Sequence, residues 1–318
     1  NPSAPGFMAS SIREMSPPRR GLAFNISIFI LFKKEESRQT RGYHYICPHK
    51  TSIFKYMELQ QPNTGQRVAL VLSMGGARGI AHIGVIEELV KQGYEITSIA
   101  GSSMGAMVGA MYATGQLEAC KQWLCTWNKR KMWHLADLSL SSDGIVKGDR
   151  FIRELKQILP DVNIEDLPIP YVAMATDIVS EQEVKFDRGS LFDAIRASIS
   201  IPMLFRPFRR GDHQLLVDGG ILNPLPLNHA VRTPGDLLVA VDVNAPAGKK
   251  GRKRLNPYQL ITKSSRLMMQ QITRYALAQT PPDLLISLCG EDYDMMEFFH
   301  AEKIVEAGRR AAKEMLRR

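Results

Sequence analysis

Hydrophobic positions from residue 67 onward fall into two alternating patterns. Short, nearly all-apolar runs appear at Val68–Ser73, Ile96–Ala100, Tyr171–Ile178, Leu237–Val243 and Asp283–Leu288. Runs of this length and composition predict strands covered on both faces, as in a parallel sheet. Between them lie stretches with apolar residues at helical spacing. One holds Ile80, Ile83, Ile86, Leu89 and Val90 and stops at Gly93; others cover Gln116–Met132, Ile145–Leu159 (a loop leading into a helix), Ser190–Ser198, Tyr258–Gln279 and 297–318. A helix stopped by glycine follows the usual C-terminal signal. Val184–Phe186 begins a further strand, and Phe205–Arg210, a Gly211-Asp212 turn and His213–Val217 read as a hairpin. Strands alternating with helices predict an α/β fold, a three-layer α/β/α sandwich with a mainly parallel central sheet. Neither an internal repeat nor a second domain is visible, so residues 58–318 read as one domain.

Residues 1–57 are different in kind. They carry clustered proline and serine, basic pairs at Arg19-Arg20 and Lys33-Lys34, and an apolar patch from Phe24 to Phe32 that is too short to span a bilayer. No small-residue cleavage pattern follows that patch. The stretch is expected to be a disordered or non-native extension, with Met57 as a natural start; the rival expectation is a short interfacial anchor.

Charge follows the same division. The chain of 318 residues has a net charge of +9, and residues 1–57 alone hold nine Lys/Arg against three Glu. The remaining body is close to neutral, which gives nucleic-acid binding little support. Cys47, Cys120, Cys125 and Cys289 form no C-x-x-C pair and no metal-ligand spacing with the seven histidines. Free thiols in a reducing compartment are expected. The expected location is cytoplasmic, with peripheral membrane contact as an extension of that reading.

The candidate chemistry sits where two apolar runs meet helices. Gly101-Ser102-Ser103-Met104-Gly105 is a G-x-S-x-G sequence between a strand and a small-residue helix (Ala106, Gly109, Ala110, Ala113). That context makes Ser103 a candidate nucleophile on a tight elbow, with the flanking glycines required by crowding. Upstream, Gly75-Gly76-Ala77-Arg78-Gly79 separates the first strand from its helix. Such a loop cradles phosphate or an oxyanion. It matches neither G-x-G-x-x-G nor G-x-x-x-x-G-K-[ST], which favours an oxyanion hole from the Gly75 and Gly76 amides.

These residues resemble the patatin-like phospholipase family, particularly its small bacterial members. The family's oxyanion loop is similar to G-G-G-x-[RK]-G; here Met74 stands in place of the first glycine. Asp218, at the end of an apolar strand and followed by Gly219-Gly220, is by itself as well explained by an Asx turn. The resemblance implies more, because the family pairs its serine with an aspartate in a D-G-[GA] motif. The segment around Ser198-Ile199-Ser200-Ile201-Pro202 and the Asn223-Pro224-Leu225-Pro226 sequence extend the match. The resemblance thus implies a Ser103–Asp218 dyad cleaving fatty-acyl esters through an acyl-enzyme, without metal or organic cofactor. Its substrate would be a lipid or other acyl ester; Arg78 would fix the glycine loop or meet a lipid phosphate.

Ser198 and Ser200 lack flanking glycines and read as turn residues. A triad remains open, with His229 or His300 as the base, as does a non-catalytic lipid-binding regulator. Met104, Met107, Met203, Leu204 and Phe205 could wall an acyl pocket or fill a core. Lys249, Lys250, Arg252, Lys253 and Arg254 read as a solvated basic loop in preference to an anion site, and such a loop could help the protein meet anionic lipid head groups.

Overall fold

The computed structural model describes residues 65–131, 138–141, 144–146, 149–202, 204–246, 256–290 and 292–317. The expectations for residues 1–57, Met57, Cys47, Met203 and the basic run 249–254 lie outside the described residues. The chain runs through β1 (Arg67–Leu72), α1 (Ala81–Lys91), β2 (Glu95–Ser102), α2 (Met104–Ala113) and α3 (Leu117–Cys125). It continues through β3 (Leu138–Ser141), β4 (Gly144–Val146), α4 (Asp149–Leu155), β5 (Tyr171–Asp177), β6 (Gln182–Phe186) and α5 (Leu191–Ser198). The rest comprises β7 (Phe208–Arg210), β8 (Gln214–Asp218), β9 (Leu237–Ala245), α6 (Pro257–Gln279), β10 (Leu284–Cys289) and α7 (Ala301–Leu316).

The main sheet has the order β10-β9-β1-β2-β5-β8-β7. Pairing is parallel from β10 to β5. It is antiparallel where β8 joins β5, β7 joins β8, and β6 returns along β5. Alternation along β1 builds the two outer layers. Val68, Leu70 and Leu72 face a core with Ile83 and Ile86 of α1, Met107 and Met111 of α2, and Ile304 of α7. Ala69 and Val71 face the opposite core, closed by Leu277 of α6 with Leu225 and Leu227. The molecule is therefore a three-layer α/β/α sandwich, as the alternation of patterns predicts.

Some boundaries differ from the sequence reading. The helix expected over Gln116–Met132 is broken after Cys125. Thr126 Oγ1 donates back to the Trp123 carbonyl (2.6 Å), and Asn128 Oδ1 accepts from the Lys131 amide (2.8 Å), so two short polar side chains end one helix and begin a new turn. The first strand of the late hairpin is shorter than expected, Phe208–Arg210. A small hairpin, β3–β4, stands where a loop was expected around Ile145. Met104 and Met107 are buried core, whereas Leu204 and Phe205 are half-buried. Cys120, Cys125 and Cys289 carry no disulfide.

Candidate active site

The glycine loop and the elbow follow the C-terminal ends of the parallel strands β1 and β2, the usual location of ligand sites in open α/β sheets, and Asp218 is brought to them by the antiparallel strand β8. Ser103 lies between β2 and α2 with φ 54° and ψ −123°. Positive φ on a non-glycine residue is strained and has to be held by its surroundings. A Cβ on Gly101 would lie 2.5 Å from the Ala106 nitrogen and 2.6 Å from the Gly105 carbonyl oxygen. One on Gly105 would lie 2.6 Å from the Ser73 carbonyl oxygen at the end of β1. The two glycines thus let the elbow close and seat it against the start of the glycine loop. The Ser103 amide donates to Ser198 Oγ (2.9 Å), which satisfies a buried donor at the strained position.

Asp218 ends β8, and its two carboxylate oxygens have different partners. Oδ1 accepts from the Gly220 amide (2.8 Å), forming the Asx-type turn. Oδ2 accepts from Ser103 Oγ (2.5 Å). Its own amide donates to the Ser200 carbonyl (2.9 Å), so the segment after α5 supports both members of the pair. Ser103 is 2% exposed and Asp218 4%. Burial pushes the Asp218 carboxyl up to about 6, against the opposing pull of its bonds from Ser103 and Gly220.

The glycine loop lies beside this pair. Gly79 packs on Met104, the neighbour of Ser103, and Gly220 packs on Met74, the neighbour of Gly75. Gly76 has φ +55°, and a Cβ there would come within 2.7 Å of the Met295 carbonyl oxygen, so only glycine fits the position. The Ala77 amide donates to Met295 O (2.9 Å), whereas the Gly75 and Gly76 amides donate to no acceptor among the described residues. Arg78 is buried; its Nη2 donates to Asn244 Oδ1 (2.9 Å) and its Nη1 to the Tyr293 carbonyl (3.3 Å). Asn244 Nδ2 in turn donates to the Met74 carbonyl, tying the loop to the end of β9. Burial lowers the Arg78 pKa and pushes the Asp242 carboxyl behind Asn244 up to about 6.

Neither candidate base of a triad bonds to Ser103 or Asp218. His229 Nε2 bonds to Glu183 Oε2 (3.0 Å), and the His300 ring lies tilted against Phe299. His82, at the start of α1, is fully buried with Nε2 2.8 Å from the Ser73 carbonyl; burial lowers its pKa to about 4, so the neutral ring donates there. A wide cleft of about 850 Å³ lies apart from the dyad, on the outer side of α5, lined by Phe192, Arg196 and Arg209 among others. Ser198, expected to be a turn residue, is instead the buried last residue of α5 and holds the elbow amide. Sequence reasoning missed Asn244 and Met295, which come from distant parts of the chain and which no local pattern marks.

Residues 70–231 match the family model described as patatin-like phospholipase. The chain belongs to the patatin-like phospholipase family. It is 46% identical over 182 residues to an "uncharacterized NTE family protein" of Mycobacterium tuberculosis, covering 57% of this chain and 50% of that protein. It is 33% identical over 195 residues to patatin-like phospholipase domain-containing protein 6 of Mus musculus, covering 60% of this chain and 14% of that one. The chain therefore spans half or less of the length of these curated relatives. Among solved structures, VipD from Legionella pneumophila aligns with a TM-score of 0.44 at 15% identity, over 80% of this chain and 67% of that one. Among the described residues no helix is long and apolar enough to cross a membrane.

Proposed function

We propose that this member of the family is a lipid acyl hydrolase using Ser103 as nucleophile and Asp218 as its general base. The observation that carries the reading is the 2.5 Å bond from Ser103 Oγ to Asp218 Oδ2, both residues being buried. A serine hydroxyl becomes an effective nucleophile when a neighbouring base takes its proton. A carboxyl pushed up to about 6 is a stronger base than an ordinary aspartate and is still ionised at neutral pH.

Ser103 Oγ attacks the ester carbonyl carbon while its proton passes to Asp218. The Gly75 and Gly76 amides, at the start of the helical turn Gly76–Ile80, receive the negative charge on the carbonyl oxygen. The C–O bond to the alcohol or lysolipid then breaks, and the leaving oxygen takes the proton from Asp218. Water attacks the acyl carbon as Asp218 accepts its proton; the bond from that carbon to Ser103 Oγ then breaks, Oγ takes the proton back from Asp218, and the fatty acid leaves. Arg78 acts by fixing the loop through Asn244 and Tyr293. The body from residue 58 onward serves as one catalytic domain, on lipid or related acyl esters, in a cytoplasmic setting.

The test is turnover of short and medium p-nitrophenyl esters by the chain and four variants. Ser103→Ala and Asp218→Asn should each lower kcat/KM by about 10²–10⁴-fold or more, the range expected for a general base. His229→Ala and His300→Ala should leave it within about threefold. An active Asp218→Asn with an inactive histidine variant would replace the dyad by a triad.

A further inference from the structure

Helix α6 is unlike the other helices in what it leaves uncovered. Leu260, Ile261, Leu267, Met268 and Tyr275 are between 55% and 63% exposed, five of the ten large apolar side chains exposed among the described residues. Positions 261, 268 and 275 recur every seven residues, and 260 and 267 lie beside them. The five therefore form one stripe along the helix rather than scattered contacts. The opposite side holds α6 to the body, through Leu277 in the core, Gln270 Nε2 donating to Asn244 O (2.7 Å) and Arg266 Nη1 to Gly290 O (3.2 Å).

Direction and charge indicate what the stripe faces. Gln270 meets Asn244, the residue that anchors Arg78 and Met74, so the middle of α6 lies at the catalytic edge of the sheet. The turns before it, from Pro257 to Ser264, are exposed wherever described, and they carry Leu260 and Ile261. An asparagine capping box and Pro257 at the first helical position hold this free end helical. Residues 256–279 contain Lys263, Arg266 and Arg274 and no Asp or Glu. A stripe meant for another protein surface has no need of so one-sided a charge. An apolar stripe flanked by cations suits the boundary between anionic headgroups and acyl chains.

We infer that the exposed face of α6 docks the protein on an anionic lipid surface, with Leu260, Ile261, Leu267, Met268 and Tyr275 entering the headgroup layer. Docking there brings the Ser103 edge of the sheet to the bilayer. The inference deepens the acyl-hydrolase reading, since it supplies the route by which a lipid ester reaches a covered serine.

The test uses flotation of the whole chain carrying Ser103→Ala, so that the lipid is not consumed. Vesicles of equal parts phosphatidylcholine and phosphatidylglycerol are compared with vesicles of phosphatidylcholine alone. Partition to the anionic vesicles should exceed that to the neutral ones by about tenfold or more and weaken with salt. Ile261→Asp with Met268→Asp should lower it by about tenfold or more, and Lys263→Glu with Arg274→Glu should lower both the binding and its salt dependence. On the chain with Ser103 intact, the aspartate pair should leave turnover of a soluble short ester within about twofold. Absence of binding by the parent, undiminished binding by the aspartate pair, or loss of soluble-ester turnover in that pair would each overturn the inference. So would a dimer that the aspartate pair dissolves in the absence of lipid binding, which would assign the face to a second copy. Binding is scored on the serine variant and turnover on the active chain, so failure of docking leaves the hydrolase reading intact, and the reverse.

Discussion

Asp218 holds a turn with one oxygen and meets Ser103 with the other, so its two sequence-level readings describe one geometry. What the residue string does not contain is the burial that turns an aspartate into a base. With the carboxyl at about 6, kcat/KM on a soluble ester should rise through about pH 6 and level off above it, because the ionised form accepts the proton. Stability should respond in the opposite direction. The folded value lies above the ordinary 3.8, so the fold prefers the neutral acid; that contribution is complete below about pH 4 and is lost as pH rises through 6. About two pH units correspond to a ceiling of roughly 3 kcal/mol at neutral pH. The change Asp218→Asn would remove the charge but present one acceptor oxygen to two donors, returning about 1–2 kcal/mol of the gain. Asp218→Asn should therefore be more stable than the parent by about 1 kcal/mol at pH 8, with the difference gone by pH 5. Thermal melts at the two pH values measure it, and an asparagine variant less stable at pH 8 would show that the carboxylate is better solvated than its burial implies.

The elements that carry the site were legible where composition is unambiguous. Val68–Ser73 and Leu237–Val243 are apolar on both faces because both faces are covered, and the G-x-S-x-G and glycine-loop strings mark turns whose sterics allow few other residues. The helix over Ser190–Ser198 was equally legible, but its role was not. Ser198 Oγ accepts the Ser103 amide 95 residues upstream, and nothing in the local pattern distinguishes that hydroxyl from a helix-end serine. Likewise Asn244 lies just past the apolar run Leu237–Val243 with nothing to mark it, yet it fastens Arg78 and the Met74 carbonyl. Ser198→Ala leaves a buried amide without an acceptor at a strained residue, at a cost of about 1–3 kcal/mol. The expected result is a lower melting temperature together with a fall in kcat of about tenfold and little change in KM, because the elbow loses its hold on Ser103 while the substrate contacts stay. Loss confined to KM would place Ser198 against the substrate instead.

At the scale of the molecule, one face of the sheet is closed by α7 lying across α1, and two glycines set how near they come. A Cβ on Gly84 would lie 2.8 Å from the Arg309 nitrogen, and one on Gly308 would lie 2.8 Å from the carbonyl carbon of Ala81. Read along the chain, both glycines only weaken helices, by about 1 kcal/mol each relative to alanine. The reason for them appears when the two helices cross and their backbones touch. This makes Gly308→Ala a contest between two effects of opposite sign. Propensity would stabilise α7 by about 1 kcal/mol. Against it, the added methyl meets backbone rather than a flexible side chain, so the helices must separate and open the packing of Ala301, Ile304 and Ala312. Overpacking of this kind costs about 1–3 kcal/mol, and backbone contact puts this case at the upper end. The variant should therefore lose about 1–2 kcal/mol in denaturant unfolding with an unchanged m-value, while Gly84→Ala on the facing helix should act in the same direction. Stabilisation of both variants would mean that α7 can slide on α1 at little cost, and that the close crossing is a consequence of the glycines and not a requirement of the fold.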